Sequence, residues 1–159
     1  MSALGNIRTF VEGVTSRLDK IAWVGPLLGR LTLAGVFIPS GWGKLNGLSK
    51  LASYFEELHI PAPHFNALLV ASTEFLGGIL VLVGFATRFA SLPLAFTMLI
   101  AILTAKRSQI DGFTSLAAFD EFAYLTMFLW LAVAGAGRAS LDHLIVRKSD
   151  STSAAPVRS

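Results

Sequence analysis

The sequence predicts an all-α integral membrane protein, a four-helix bundle with short interfacial helices in its N-terminal segment and first outer loop. The 159 residues are 53% hydrophobic and only 14% charged, with a mean hydropathy of +0.64. Soluble domains carry about 25% charged residues, so much of this surface is expected to face lipid. The formal net charge is +3. The basic residues flank apolar runs instead of clustering, which predicts membrane flanks and no nucleic-acid partner.

Residues 1–22 form an amphipathic N-terminal segment. Apolar residues recur at steps of three and four between Leu4 and Ile21, and charged residues such as Arg17 lie between them. The pattern predicts a helix along the membrane surface, although packing against the end of the bundle explains it equally well. The segment has no continuous apolar core and no small-residue cleavage site, so we expect the first apolar run to be retained as a span.

Residues 23–146 contain four apolar runs, each long enough to cross a bilayer, which takes about 17–25 residues. The first run is interrupted by Arg30 alone and the second by Glu74 alone, and the third contains Pro93, which should kink it. The fourth run contains an acidic pair near its start. We predict transmembrane helices at about 24–43, 66–86, 89–105 and 117–137.

The connections between the runs differ in length. Residues 84–88 form a tight turn, so the second and third spans are expected to make an antiparallel hairpin. The longer first connection, residues 44–65, predicts a short interfacial helix because four of its apolar residues share one helical face. Pro61 and Pro63 would end that helix. The Ser-, Ala- and Pro-containing residues 147–159 predict a disordered tail.

The distribution of basic residues indicates how the protein lies in the membrane. With four spans both termini share one side, and that side carries eight basic residues outside the runs, against four on the other side. The bias favours cytoplasmic termini. The eight are Arg8, Arg17, Lys20, Arg88, Arg138, Arg147, Lys148 and Arg158, and the four are Lys44, Lys50, Lys106 and Arg107.

Ionisable residues inside the predicted spans are the strongest functional signal. Each costs at least about 2.5–3.5 kcal/mol to insert, so such residues usually face the bundle interior and pair. Arg30 and Lys44 are 14 positions apart (44 − 30), close to four helical turns at about 100° per residue, so they share one face. Glu74 shares a face with Gly77 and Gly78, which allow another backbone to approach closely.

The expected depths of these residues predict a polar pocket that opens outward. Glu74 would form its floor, with Arg30 beneath it, near enough for the two side chains almost to meet. No catalytic residue is assigned. The chain has no cysteine and no histidine within an apolar run, so we expect no metal or haem site. The ligand-binding candidates are Arg30, Lys44, Glu74, Lys106, Asp120, Glu121, Tyr124 and Trp42.

Each candidate also has a structural interpretation. An arginine–glutamate pair could serve only to fix helix packing, and Lys44 and Lys106 could extend to lipid headgroups. Trp42, like Trp23 and Tyr54, suits the aromatic belt at the membrane interface better than a ligand contact. These alternatives stay open on the residues alone.

Six short motifs occur in order along the chain. They are Ser40–Leu45, Leu58–Pro63, Glu74–Gly78, Gly84–Arg88, the acidic pair Asp120 and Glu121, and Gly135–Asp142. Together with the arginine of the first span, this series resembles the DoxX family of small four-span bacterial membrane proteins. The resemblance covers roughly Gly29 to Ile145.

The resemblance implies a membrane subunit of an oxidoreductase system in the bacterial inner membrane. Members of the family include parts of a quinone-linked thiosulfate-oxidising enzyme and of a complex linked to oxidative-stress defence. A quinone headgroup or a small anionic substrate would then enter the outward pocket, with no covalently bound cofactor. The motif residues carry over as Arg30, Lys44 and Glu74. Besides the bilayer, the expected partners are a redox protein or another copy of the chain.

Three functions compete at this point. In a redox subunit, Glu74 would relay a proton while a nearby cation stabilises a quinone oxygen or an anion. In a non-catalytic anchor or assembly subunit, the N-terminal segment and the basic rim would dock a partner protein. A small-molecule transporter is less favoured, because four spans without an inverted repeat do not form the usual transporter architecture.

Overall fold

The structure, a computed structural model, describes residues 3–153, and in this range the secondary structure is helical, without strands. The predicted all-α class is confirmed. The helices are α1 (Ala3–Ile21), α2 (Val24–Asn46), α3 (Leu48–Glu57), α4 (Pro63–Val83), α5 (Thr87–Thr104), α6 (Phe113–Ala117), α7 (Asp120–Ala134) and α8 (Leu141–Ser153). A single turn of 3-10 helix, Arg107–Gln109, follows α5.

Four helices form the bundle. Helix α2 packs along α4 and α5 packs along α7, while α4 meets α5 and α2 meets α7, which closes the arrangement into a ring. Helix α3 lies against α4. Apolar side chains from all four bundle helices fill the centre. Their close packing holds the bundle together, because helices in lipid associate through packing and not through the hydrophobic effect. The fully buried members include Leu33, Val81, Leu94, Phe128 and Leu131.

A glycine sets the distance between α2 and α4. A Cβ atom added at Gly41 would overlap the backbone nitrogen of Phe75. The two backbones therefore touch at this level, as small residues allow in membrane helix pairs. The contact places Gly41, near the end of α2, beside the middle of α4, where Glu74 lies.

Three helices, α2, α4 and α5, are long and apolar enough to cross a membrane. Helices α2 and α5 both continue through an internal proline. Large apolar side chains point outward from the bundle, as lipid-facing residues do: Phe89 is 76% exposed and Phe96 is 61% exposed. These features confirm a membrane protein with an apolar outer surface.

The fourth predicted span is shorter than the apolar run that suggested it. The run 117–137 is helical in α7 for only 15 residues, because Phe119 is extended and Gly135 has a φ of +83°. Glycine adopts that left-handed backbone without a Cβ clash and so ends the helix. Helix α7 is about 22 Å long, against about 30 Å for a bilayer core.

The ends of the chain differ in their relation to the predictions. Helix α1 coincides with the predicted amphipathic segment, and its apolar residues Phe10 and Leu18 are 73% and 54% exposed. Helix α8 continues to Ser153 and so includes residues 147–153 of the predicted disordered tail. The remainder of that tail, 154–159, lies outside the described residues.

Candidate functional site

Glu74 lies in the middle of α4 and its side chain is buried among the bundle helices. The residue is 1% exposed. Ser40 donates a hydrogen bond to its Oε2 at 2.9 Å, and Lys44 Nζ donates to its Oε1 at 2.5 Å. Both donors come from α2, one helical turn apart on the face that meets α4. Lys44 connects Glu74 to the end of the bundle where α2 ends and α4 begins, and we name this end the Glu74 end.

The ion pair explains why a carboxylate can lie inside the bundle. An isolated charge in lipid is costly, and a paired, hydrogen-bonded charge costs much less. The two partners differ in access, since the Lys44 side chain is 32% exposed while the Glu74 side chain is 2% exposed. Lys44 therefore connects the buried carboxylate to the surface of the bundle.

Aromatic rings surround this level of the bundle. Phe37, one turn before Ser40 on α2, packs edge-to-face against Tyr124 and Phe128 of α7, with ring centroids 5.4 and 4.8 Å apart. Trp42 is exposed and lies 5.5 Å from the ring of Phe75. Tyr124 thus packs between the helices, whereas Trp42 lies on the outer surface of the bundle.

A second ion pair occurs where α5 ends and α7 begins, also at the Glu74 end. Lys106 Nζ lies 3.7 Å from Glu121 Oε1 and 5.5 Å from the centre of the Phe119 ring. Asp120 is exposed at the first position of α7, where an acidic side chain suits the positive end of the helix dipole. The structure thus pairs Lys106 with Glu121 and leaves Asp120 outside both ion pairs.

Arg30 makes no hydrogen bond or ion pair with Glu74, so the expectation that their side chains almost meet is wrong. Its guanidinium points to the opposite end of the bundle, where α2 begins and α4 ends, which we name the Arg30 end. There Nε donates to the carbonyl of Val81 at 2.8 Å and Nη2 to that of Leu82 at 2.6 Å. Nη1 donates to the carbonyls of Ala136 and Ala139 at 3.0 and 2.7 Å.

Arg30 points to this end because several backbone carbonyls there need a hydrogen-bond donor. The last carbonyls of α4 have no partner within their own helix, and they carry the negative end of its dipole. The carbonyls of the segment after α7 are equally in need of donors. The planar guanidinium of Arg30 satisfies both groups at once, whereas Glu74 already has Ser40 and Lys44.

Asp142 is a residue of this end whose role the sequence analysis missed. Its two carboxylate oxygens accept hydrogen bonds from the backbone nitrogens of Ala86 and Thr87, at 2.7 and 3.1 Å. Its own nitrogen donates to the carbonyl of Gly84 at 2.9 Å. Asp142 therefore caps the start of α5 and fixes the turn between α4 and α5. The signal was present, since Asp142 closes the last motif of the family series.

The comparisons with known proteins agree with this architecture. The DoxX family model matches residues 25–107. The chain is 36% identical over 132 residues to the inner membrane protein YqjF of Escherichia coli, covering 82% of this chain and 99% of YqjF. It is 31% identical over 130 residues to the "Putative oxidoreductase CatD" of Bacillus subtilis, covering 82% and 93% of the two chains. No solved structure matches the chain.

The family match contains the Arg30 contacts to α4 and the Lys44–Glu74 pair, and it ends just after Lys106. The match covers more than half of the chain, and the alignment to YqjF covers nearly all of that protein. The apolar helices and the similarity to YqjF together indicate a protein of the bacterial inner membrane. The chain therefore belongs to the DoxX family.

Proposed function

We propose that this protein is a membrane subunit of an oxidoreductase system and that its Glu74 end receives a quinone headgroup. One observation carries the proposal: a buried carboxylate is held by Ser40 and by the ammonium of a lysine that is 32% exposed. A ligand can exchange hydrogen bonds with such a pair from the surface without opening the bundle. The relative CatD, whose name is "Putative oxidoreductase CatD", supports this class of function.

The charge balance favours a quinone over a small anion. Lys44 is paired with Glu74 and Lys106 with Glu121, so the formal charges of these four groups cancel. An anion would have to compete with both carboxylates for the same ammonium groups. A neutral, planar headgroup needs only hydrogen-bond donors and ring contacts, and Tyr124 lies among aromatic rings close by.

The chemistry follows from the reduction of a quinone to a quinol, which takes up two electrons and two protons. We assign the electrons to a redox partner protein, because a chain without cysteine cannot use a thiol–disulfide route. Lys44 would donate a hydrogen bond to one quinone oxygen. Glu74 would pass protons to the developing quinol oxygens, in succession, with Lys44 as its connection to the surface.

Quinone binding can be measured with decylubiquinone as the probe. The full chain in lipid nanodiscs is titrated, and quenching of tryptophan fluorescence is followed, with Trp42 as the reporter near the site. We expect saturable quenching by the wild type. Glu74→Gln and Lys44→Met should raise the Kd about tenfold, the loss of about one hydrogen bond to a charged group.

Lys50→Met is the matched control, since Lys50 is an exposed lysine of α3 at the same end of the bundle. It should leave the Kd unchanged, and Trp42→Phe should remove most of the signal. Absence of saturable quenching, or a Kd that is the same in the wild type, Glu74→Gln and Lys44→Met, contradicts the proposal. Displacement of the probe by thiosulfate would identify an anion site instead.

We also propose that the chain crosses the membrane four times, with α7 as a short fourth span and both termini in the cytoplasm. A chain without cysteine allows single-cysteine labelling with a membrane-impermeant maleimide. Ser53→Cys and Ser108→Cys should react in intact cells, whereas Thr15→Cys and Ala139→Cys should react only after lysis. Labelling of Ala139→Cys in intact cells would mean that α7 does not cross.

A further inference from the structure

An open groove lies at the Arg30 end, between the start of α5, the end of α7 and the beginning of α8. Its volume is about 580 Å³. The walls are mainly apolar and accessible from outside the bundle: Phe85 is 44% exposed, Phe89 is 76% exposed and Val146 is 59% exposed. The proposed quinone site is at the other end of the bundle, so this groove has no part in it.

Arg88 lines the groove, and its side chain has no partner in the part of the chain that the structure describes. Arg88 packs over Gly135, where an added Cβ would lie 3.1 Å from the arginine Nε. Within residues 3–153, Arg88 has neither a hydrogen bond nor an ion pair through its side chain. The carboxylate that also lines the groove, Asp142, uses both oxygens for the backbone nitrogens at the start of α5. The positive charge of Arg88 is therefore available to a ligand.

The position of the groove along the bundle defines the kind of ligand further. Helices α4 and α5, both long and apolar enough to span a membrane, meet at this level, because α4 ends at Val83 and α5 begins at Thr87. The ends of spanning helices lie at the depth of lipid headgroups. An apolar wall beside an unpaired guanidinium at that depth is complementary to an anionic amphiphile.

We propose that the groove binds an anionic phospholipid. Arg88 donates hydrogen bonds to the phosphate, which a guanidinium can contact through two parallel N–H groups. An acyl chain lies along Phe85 and Phe89. A soluble phosphate ion would use Arg88 but would gain nothing from the apolar walls, so lipid is the occupant that fits the whole groove.

Lipid binding can be tested by native mass spectrometry of the full chain, titrated with dioleoylphosphatidylglycerol or dioleoylphosphatidylcholine in detergent. We expect the wild type to bind dioleoylphosphatidylglycerol more tightly than dioleoylphosphatidylcholine. Arg88→Gln should weaken it about fivefold, the factor expected for one basic residue at a membrane surface. Arg107→Gln, which removes an exposed arginine at the Glu74 end, should have no effect.

A second variant keeps the test independent of the folding of Arg88→Gln. Ala134→Trp fills the groove from the end of α7 and should weaken phosphatidylglycerol binding while Arg88 remains. Three results would overturn the proposal: equal binding of the two lipids by the wild type, equal weakening by Arg88→Gln and Arg107→Gln, or full displacement of the lipid by inorganic phosphate. The last would identify a site for a free anion.

Discussion

Each end of the bundle contains a buried charged side chain, and the two ends stabilise that charge in different ways. At the Arg30 end, a cation that is 2% exposed donates to four backbone carbonyls. At the Glu74 end, a carboxylate that is 1% exposed is held by two side chains, one of them partly exposed. The carbonyls of Val81 and Leu82 are fixed in the last turn of α4 and cannot move without disturbing that helix, whereas a lysine side chain can change partner. The Arg30 end therefore has a mainly structural contact at its centre, whereas the Lys44–Glu74 pair is the contact at which we propose that a quinone exchanges hydrogen bonds.

The largest expected effect comes from Arg30→Leu. In the described part of the chain, the substitution leaves the carbonyls of Leu82, Ala136 and Ala139 without a donor, while that of Val81 keeps the backbone nitrogen of Gly84. At about 1 kcal/mol for each lost bond, the free energy of unfolding should fall by about 3 kcal/mol. Arg30→Lys should recover only part of the loss, since one ammonium cannot reach all four acceptors. Thermal unfolding in detergent measures the change. A Tm within a degree of the wild type for Arg30→Leu would remove the distinction between the two ends.

Lys44→Met tests the Glu74 end with a smaller expected effect. The variant leaves a carboxylate buried without its cation, and the free energy of unfolding should fall by about 2 kcal/mol, because partial exposure of Lys44 softens the loss. The double variant Lys44→Met, Glu74→Gln removes both charges and should regain most of the stability. If the double variant is less stable than Lys44→Met, Lys44 and Glu74 do not form an energetically coupled pair.

Asp142→Asn sharpens the account of the Arg30 end. The amide keeps one acceptor oxygen but loses the charge at the start of α5, so the free energy of unfolding should fall by about 1 kcal/mol. Asp120→Asn is the matched control at the start of α7, where the exposed carboxylate accepts no cap bond in the described part of the chain. It should cost about 0.5 kcal/mol or less. Equal losses from both variants would contradict a specific role for Asp142.

The smallest effect is expected for Lys106→Gln. The 3.7 Å contact between Lys106 and Glu121 joins two partly exposed side chains, and such pairs contribute about 0–1 kcal/mol. Its Tm should therefore lie close to that of the wild type. A larger loss than that of Lys44→Met would show that the Lys106–Glu121 pair, and not the Lys44–Glu74 pair, holds the Glu74 end together.

The long apolar runs were enough to predict α2, α4 and α5, because lipid demands continuous apolar helices and leaves little freedom in their placement. The end of α7 was less predictable. The run from 117 to 137 is apolar throughout except for its acidic pair, and only the two glycines at 135 and 137 could have indicated an earlier end at Ala134. Hydropathy indicates which residues are stable in lipid, but it does not indicate where a helix ends.

The charged residues show a similar limit. Helical periodicity correctly places Arg30 and Lys44 on one face of α2, since both side chains reach α4. It could not identify the partners of Arg30. About 21 Å of helix lies between Arg30 and Lys44, so the two residues meet different parts of α4. The actual partners are backbone carbonyls, which every residue carries and no sequence pattern marks. The roles of the candidates in ligand binding stay predictions.

The wide sequence separation of the Arg30 contacts has a consequence for biogenesis. Arg30 lies in the first helix of the bundle to be synthesised, and two of its acceptors, Ala136 and Ala139, follow more than 100 residues later. During translation the first span must enter the membrane with an arginine whose final partners do not yet exist. Six residues from the start of α2, its guanidinium can reach toward the headgroups in the meantime. The four hydrogen bonds of Arg30 can therefore be complete only after the last bundle helix has been made.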